Sequence, residues 1–259
     1  MTASHRLLAA CLVLGLALVG CAGEKESPIR AMWQPPPGWW QAAARDGGAL
    51  QRRDGTIYRL DRDAARSLAV ARDEIARASG LDFALLIADW DQVNAFADDD
   101  RGRQIVVFST ALIRMIGRDQ DAVSYVMGHE VAHHKLGHNG ETRTDRERAT
   151  WVASQVIGNI AGLIVPFSGY VVGPAVTGVG RSFTRDEERD ADALGLEWAT
   201  KNGRDPCGAY RLSAALARGG KDPFDLPFLS THPGHEERMA SADALSLRLR
   251  GRRCSDAPR

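Results

Sequence analysis

The sequence predicts an α+β chain that is mainly helical and carries a small β-sheet, and three observations predict it. Apolar residues recur at helical intervals over Asp61–Ser79, through the stretch around His129, and again from Glu236 to about Leu249. Two short apolar runs, Phe83–Ala88 and Gln104–Phe108, have the length of buried strands. The 259 residues, 33 basic against 33 acidic, suit one globular domain with a sizeable core, and nothing in them resembles a nucleic-acid-binding surface.

In chain order, His5-Arg6 precede an apolar run from Leu7 to Val19, about the length of a signal-peptide core and shorter than a membrane span. The run ends in Leu18-Val19-Gly20-Cys21, which resembles the lipobox of bacterial lipoproteins. Residues 1–20 are therefore expected to be a signal peptide and Cys21 the lipidated N-terminus, holding the chain to a membrane through its lipid. The alternative is an ordinary signal peptide with an incidental cysteine. Ala22 after Cys21 resembles the pattern sorted to a Gram-negative outer membrane, facing the periplasm. Residues 21–40, with Glu24-Lys25-Glu26-Ser27-Pro28 and Pro35-Pro36-Pro37, look like a tether, and 41–259 form the globular domain. Met32, Trp33, Trp39 and Trp40 either touch the bilayer interface or pack back on the domain.

The helix over Asp61–Ser79 closes at Gly80, and the two strand candidates follow. Next comes His129-Glu130-Val131-Ala132-His133. Arg118-Asp119-Gln120-Asp121 sets acidic residues at a helix start, Ala122, Val123, Val126, Met127, Val131 and Leu136 have helical spacing, and Gly137 with Asn139-Gly140 gives the stop. Residues four apart on a helix share a face, so the imidazoles of His129 and His133 converge on one metal ion. Glu130 falls about 100° round the helix, where a general base for a water stands. His134 and His138 are rotated off that face and read as solvated or structural.

A third ligand is required, and Thr184-Arg185-Asp186-Glu187-Glu188-Arg189-Asp190-Ala191-Asp192 supplies it. Thr184 and Glu187 have capping-box spacing, so Glu188 and Asp192 share one helical face. Two His and one Glu form a known catalytic zinc set, with Asp192 placed to accept the free N–H of His129. Asn202-Gly203 stops this helix, Arg204-Asp205-Pro206 opens another through about Arg218, and Asp222-Pro223 and Leu226-Pro227 lead to His232-Pro233. In the last helix Met239, Ala242, Leu245 and Leu249 form the expected buried face. Between the two metal helices, Trp151 to Gly180 is uncharged and broken by Pro166, Ser168, Gly169, Gly173 and Pro174. It reads as a broken helical hairpin over the cleft, with a membrane-dipping element as the alternative.

The order HExxH, then TRxxExxADxxG closing at Gly195, then Ser230-Thr231-His232-Pro233 with Arg238, resembles the HExxH zinc metalloendopeptidases (gluzincins) that include the CAAX prenyl protease and the HtpX-type proteases, in their bacterial periplasmic lipoprotein branch. The resemblance covers roughly residues 60–245. It implies a zincin-like fold, one Zn²⁺ per chain on His129, His133 and Glu188, and Glu130 as base. His232 or Arg238 is then either the second positive donor to the transition state or a structural residue. It also implies an edge strand ahead of the HExxH helix that pairs with an extended substrate, for which the strand ending near Phe108 is the candidate. Where relatives carry a Pro-Gly-Gly turn, this chain has Asp98-Asp99-Asp100-Arg101-Gly102. The implied activity is hydrolysis of unfolded or misfolded envelope proteins, with an outer-membrane-protein assembly chaperone bearing a latent metal site as the rival. Cys207 and Cys254 remain as an even pair, either a disulfide or two thiols. Oligomeric state is not legible.

Overall fold

Four of the described helices begin where a side chain takes up amides that the helix itself leaves unpaired. The computed structural model describes residues 32–52, 54–100, 102–138, 183–219, 232 and 234–256. In order the elements are α1 (Trp39–Asp46), β1 (Gly48–Gln51), β2 (Ile57–Leu60), α2 (Arg62–Ser79), β3 (Ala84–Ala88), β4 (Ala95–Asp100), β5 (Arg103–Ser109), α3 (Thr110–Ile116), α4 (Gln120–Lys135), α5 (Arg185–Lys201), α6 (Cys207–Gly219) and α7 (His235–Arg250), with a 3-10 turn at Cys254–Asp256. The class is α+β and mainly helical, as the patterning predicts.

Asp61 caps α2 by accepting the Asp63 and Ala64 amides, both at 3.0 Å. Ser109 caps α3 through Leu112, and Asp119 caps α4 through Ala122, both at 3.1 Å. Thr184 and Glu187 complete the capping box of α5. Each cap contributes about 1 kcal/mol. Gly80, at φ 70°, ends α2 in the left-handed region that other residues avoid.

Helix α4 is the centre of the molecule. From Ala122 to His133 every residue is buried, because α2, α5, α6 and the sheet surround it. A helix packed on all sides is apolar all round, and here the exceptions are the residues of chemical interest. Its closest partner is α5, where Gly128 and Gly195 bring the two backbones together. A Cβ at Gly195 would lie 2.7 Å from the His129 nitrogen. That contact explains the glycine three residues after Asp192. Gly195→Ala is expected to destabilise the fold by about 1–3 kcal/mol and to weaken zinc binding. Urea unfolding and metal titration check this, and an unchanged midpoint would refute the close packing.

The three-stranded sheet runs β3-β5-β4, with β3 parallel and β4 antiparallel to β5. This corrects the expected edge. The strand ending near Phe108 is β5, which is paired on both sides and buried from Ile105 to Ser109. The outer side of β3 is met by Trp33, which bridges Ile87 with N···O distances of 2.9 and 3.1 Å. Among the described residues β4 therefore presents the open edge. Asp98, Asp99 and Asp100 belong to β4 rather than to the turn, pairing as far as Asp100 opposite Arg103, and Gly102 turns at φ 83°.

Of the two readings of Met32, Trp33, Trp39 and Trp40, packing on the domain is the one seen: Met32 is buried and the three tryptophans pack against the core. The expected face of the last helix changes. On α7 the buried residues are Arg238, Ala242, Leu245 and Ser246, while Met239 is half-buried and Leu249 is 57% exposed. A disulfide joins Cys207, at the start of α6, to Cys254, with Cα atoms 5.2 Å apart. Residues 1–20, Cys21, Asn139-Gly140, the 151–180 stretch and the Asp222-Pro223 and Leu226-Pro227 loop lie outside the described residues. No described helix is long and apolar enough to cross a membrane.

Candidate metal centre

The turn-to-turn stacking on α4 places His129 Nε2 3.1 Å from His133 Nε2. Helix α5 delivers Glu188 to them, its oxygens 3.5 Å from His129 Nε2 and 3.4 Å from His133 Nε2. His232 completes the group, with Nδ1 3.1 Å from His129 Nε2 and 3.0 Å from Glu188 Oε1. All four side chains are buried, and one donor atom from each lies within 4.8 Å of the others.

These residues fit a metal on the chemistry of the set. Burial holds the imidazoles of His129 and His133 below their usual pKa, which leaves them neutral and able to donate a lone pair. Burial pushes the Glu188 carboxyl up, but His232 and His129 outweigh it and hold that group well below the usual range, as an anion. Tetrahedral ligands about 2.0–2.1 Å from zinc stand roughly 3.3 Å apart, close to the spacings here. Glu130 stands beside this group rather than in it. Both its oxygens are buried without a hydrogen-bond partner among the described residues, and His232 Nε2 lies 3.6 Å from Oε1. Burial raises its carboxyl pKa, so it is a stronger proton acceptor than an exposed glutamate.

The sequence model of Peptidase family M48 matches residues 63–246, more than half of the chain. The chain belongs to that family.

Among M48 proteins, the "Beta-barrel assembly-enhancing protease" of Escherichia coli (strain K12) is 30% identical over 173 residues, 62% of this chain and 34% of that protein. The protein of the same name from Yersinia pestis is 28% identical over 169 residues, with the same shares. The chain thus spans about a third of the length of these relatives (34%). Zinc is the metal of the M48 family, and His129, His133, Glu188 and His232 are the residues that could hold it here.

Behind the ligands of this M48 chain lies a buried polar layer. Asp192 Oδ1 is 2.8 Å from His129 Nδ1, the contact expected from the sequence. The same oxygen accepts the Tyr125 hydroxyl at 2.5 Å. Arg238 is 1% exposed and donates from Nε to both Asp192 oxygens, at 3.0 and 3.1 Å, with Nη2 3.7 Å from Glu188. Its guanidinium also lies over the Tyr125 ring, 5.7 Å from the centroid. Arg238 is thus paired with Asp192 and Glu188 on the acidic helix α5, the contact that its structural alternative requires. His232 goes the other way, into the ligand group itself. Burial pulls its pKa down, but Glu188 and Glu130 outweigh that and raise it to about 9.

Three neighbours were not expected from the sequence. Tyr125 is four residues before His129 and so on its face, a signal that was available. His138 Nδ1 lies 2.9 Å from His133 Nδ1, and the Phe183 ring stacks on His133 with centroids 3.7 Å apart. Both depend on how the chain turns after α4 and before α5, which has no periodic signal. His134 is structural: its Nε2 donates to the Ile105 carbonyl at 2.9 Å and ties α4 to β5.

Proposed function

We propose that this M48 protein is a zinc-dependent endopeptidase of the cell envelope, held to the outer membrane by lipid on Cys21, that cuts misfolded or unassembled envelope proteins. The observation that carries the reading is the buried carboxylate of Glu130, which has no hydrogen-bond partner among the described residues, beside a buried His129, His133 and Glu188 set. Zinc bound there would supply the positive charge that polarises a scissile carbonyl and acidifies water. Glu130 takes the proton of the attacking water and passes it to the departing amine. Asp192 holds His129 in its ligating tautomer, and Arg238 keeps Asp192 anionic in a half-buried position. The open edge of β4 supports the substrate class, since backbone pairing takes extended peptide without regard to sequence. Leu18-Val19-Gly20-Cys21 supports the anchor, and relatives named for enhancing β-barrel assembly support the envelope setting.

One observation favours a second reading, an assembly chaperone with a latent metal site: His232 Nδ1 lies among the ligands, where a fourth protein donor would close the position that a catalytic zinc keeps for water. Metal analysis of the full chain, with casein and a denatured outer-membrane protein as substrates, separates the two. The protease reading expects one zinc per chain, and cleavage that a chelator abolishes and added zinc restores. Zinc at one per chain with no cleavage of either substrate would favour the latent site.

A further inference from the structure

We propose that His138 is the positioning residue of His133: its Nδ1 accepts the His133 Nδ1–H and thereby turns the opposite nitrogen, Nε2, toward the metal. This rests on the zinc reading above. A neutral imidazole carries one ring proton, so ligation through Nε2 requires the proton of His133 on Nδ1. The atom facing that proton, at 2.9 Å, is His138 Nδ1. It must offer a lone pair, which puts the proton of His138 on its own Nε2. The chain is shaped for the contact. After α4 it turns through Gly137 at φ 69°, and the His138 amide donates back to the His133 carbonyl at 2.9 Å. That turn tucks His138 beneath the ring it faces, with only 4% of its surface exposed. Phe183, nearly parallel to the His133 ring at 17°, fixes the plane in which the bond is made.

The two α4 ligands are thus oriented by different chemistry. His129 is held by an anion on another helix, whereas His133 is held by a neutral imidazole supplied five residues later in its own chain. An outer hydrogen-bond partner of a ligating histidine is worth about 10–100-fold in metal affinity.

The test is the zinc dissociation constant of the full chain, measured by competition with a chromophoric chelator. His138→Ala and His138→Asn are compared with wild type, because an Asn side-chain oxygen can accept the same proton. The proposal expects His138→Ala to weaken zinc binding about 10–100-fold, and His138→Asn to recover most of that loss. Thermal unfolding of the metal-free proteins runs alongside, and the two variants are expected to match there. Alanine binding zinc within about twofold of wild type overturns the proposal. So does asparagine binding as weakly as alanine, which assigns His138 to packing. A wild-type chain that takes up no zinc would instead sink the metal reading itself.

Discussion

Glu130→Gln keeps one zinc per chain and lowers peptide-bond hydrolysis by about 10²–10⁴-fold, the range that a positioned proton acceptor contributes. The substitution keeps the shape of the side chain and removes only its basicity. The ligand atoms of His129, His133 and Glu188 are untouched, and Glu130 donates no atom to their group. Stability moves the other way. A carboxylate buried without a hydrogen-bond partner among the described residues costs desolvation energy that a neutral amide avoids, so the variant unfolds at the same temperature as wild type or higher. Cleavage kinetics, metal content and thermal unfolding on one preparation read all three. Hydrolysis within tenfold of wild type, with zinc retained, would remove Glu130 from the role of base.

Arg238→Met unfolds with about 3–5 kcal/mol less free energy in urea at neutral pH, the cost of leaving buried charge without its partner. Methionine fills most of the volume, so the loss is electrostatic. Arg238 faces both oxygens of the half-buried Asp192 and lies 3.7 Å from Glu188, and both Arg238 and Glu188 are buried. The pH dependence follows from Asp192. Burial raises its carboxyl, but Arg238 and His129 overcome that and hold it below the usual value. A carboxyl depressed in the fold adds stability above its unfolded pKa, about 3.9, and that stability is lost as pH falls through the folded pKa. The methionine variant has lost that depression. Its deficit is therefore largest at neutral pH and shrinks as acid protonates Asp192. Arg238→Lys, which lacks the planar fork, falls between the two. A deficit under about 1 kcal/mol, or one that grows in acid, would show that Arg238 does not hold this layer together.

The ligand helices were legible because their signals are local. Asp119, the apolar steps from Ala122 to Leu136 and the Thr184–Glu187 box fix α4 and α5 within a few residues, and HExxH with ExxxD then places five side chains by helical geometry alone. What failed was non-local. Strand order is set by which edges the rest of the chain covers, so β5 lies inside the sheet although it was expected at its edge. Leu249 fits the period of α7 yet is exposed, because periodicity marks a shared face and not what covers it. Arg238 has the composition of a surface residue, and only the convergence of Asp192, Glu188 and Tyr125 accounts for its burial. His138 was set aside for being off the metal face, which is correct for a ligand and uninformative for a residue that supports one.

The link between Cys207 and Cys254 encloses both His232 and Arg238. In an oxidising compartment the segment that completes the centre is a covalent ring, hinged on α6, whose Arg211 is already paired with Asp119 and Asp121 at the head of α4. Its residues search for their seats within a volume of the ring's own size. In a reducing cytosol the same segment is an open chain, and Arg238 must find a buried cleft from much farther away. Oxidising the link therefore lowers the entropic cost of seating His232 and Arg238 beside the residues of α4 and α5, and reducing it raises that cost.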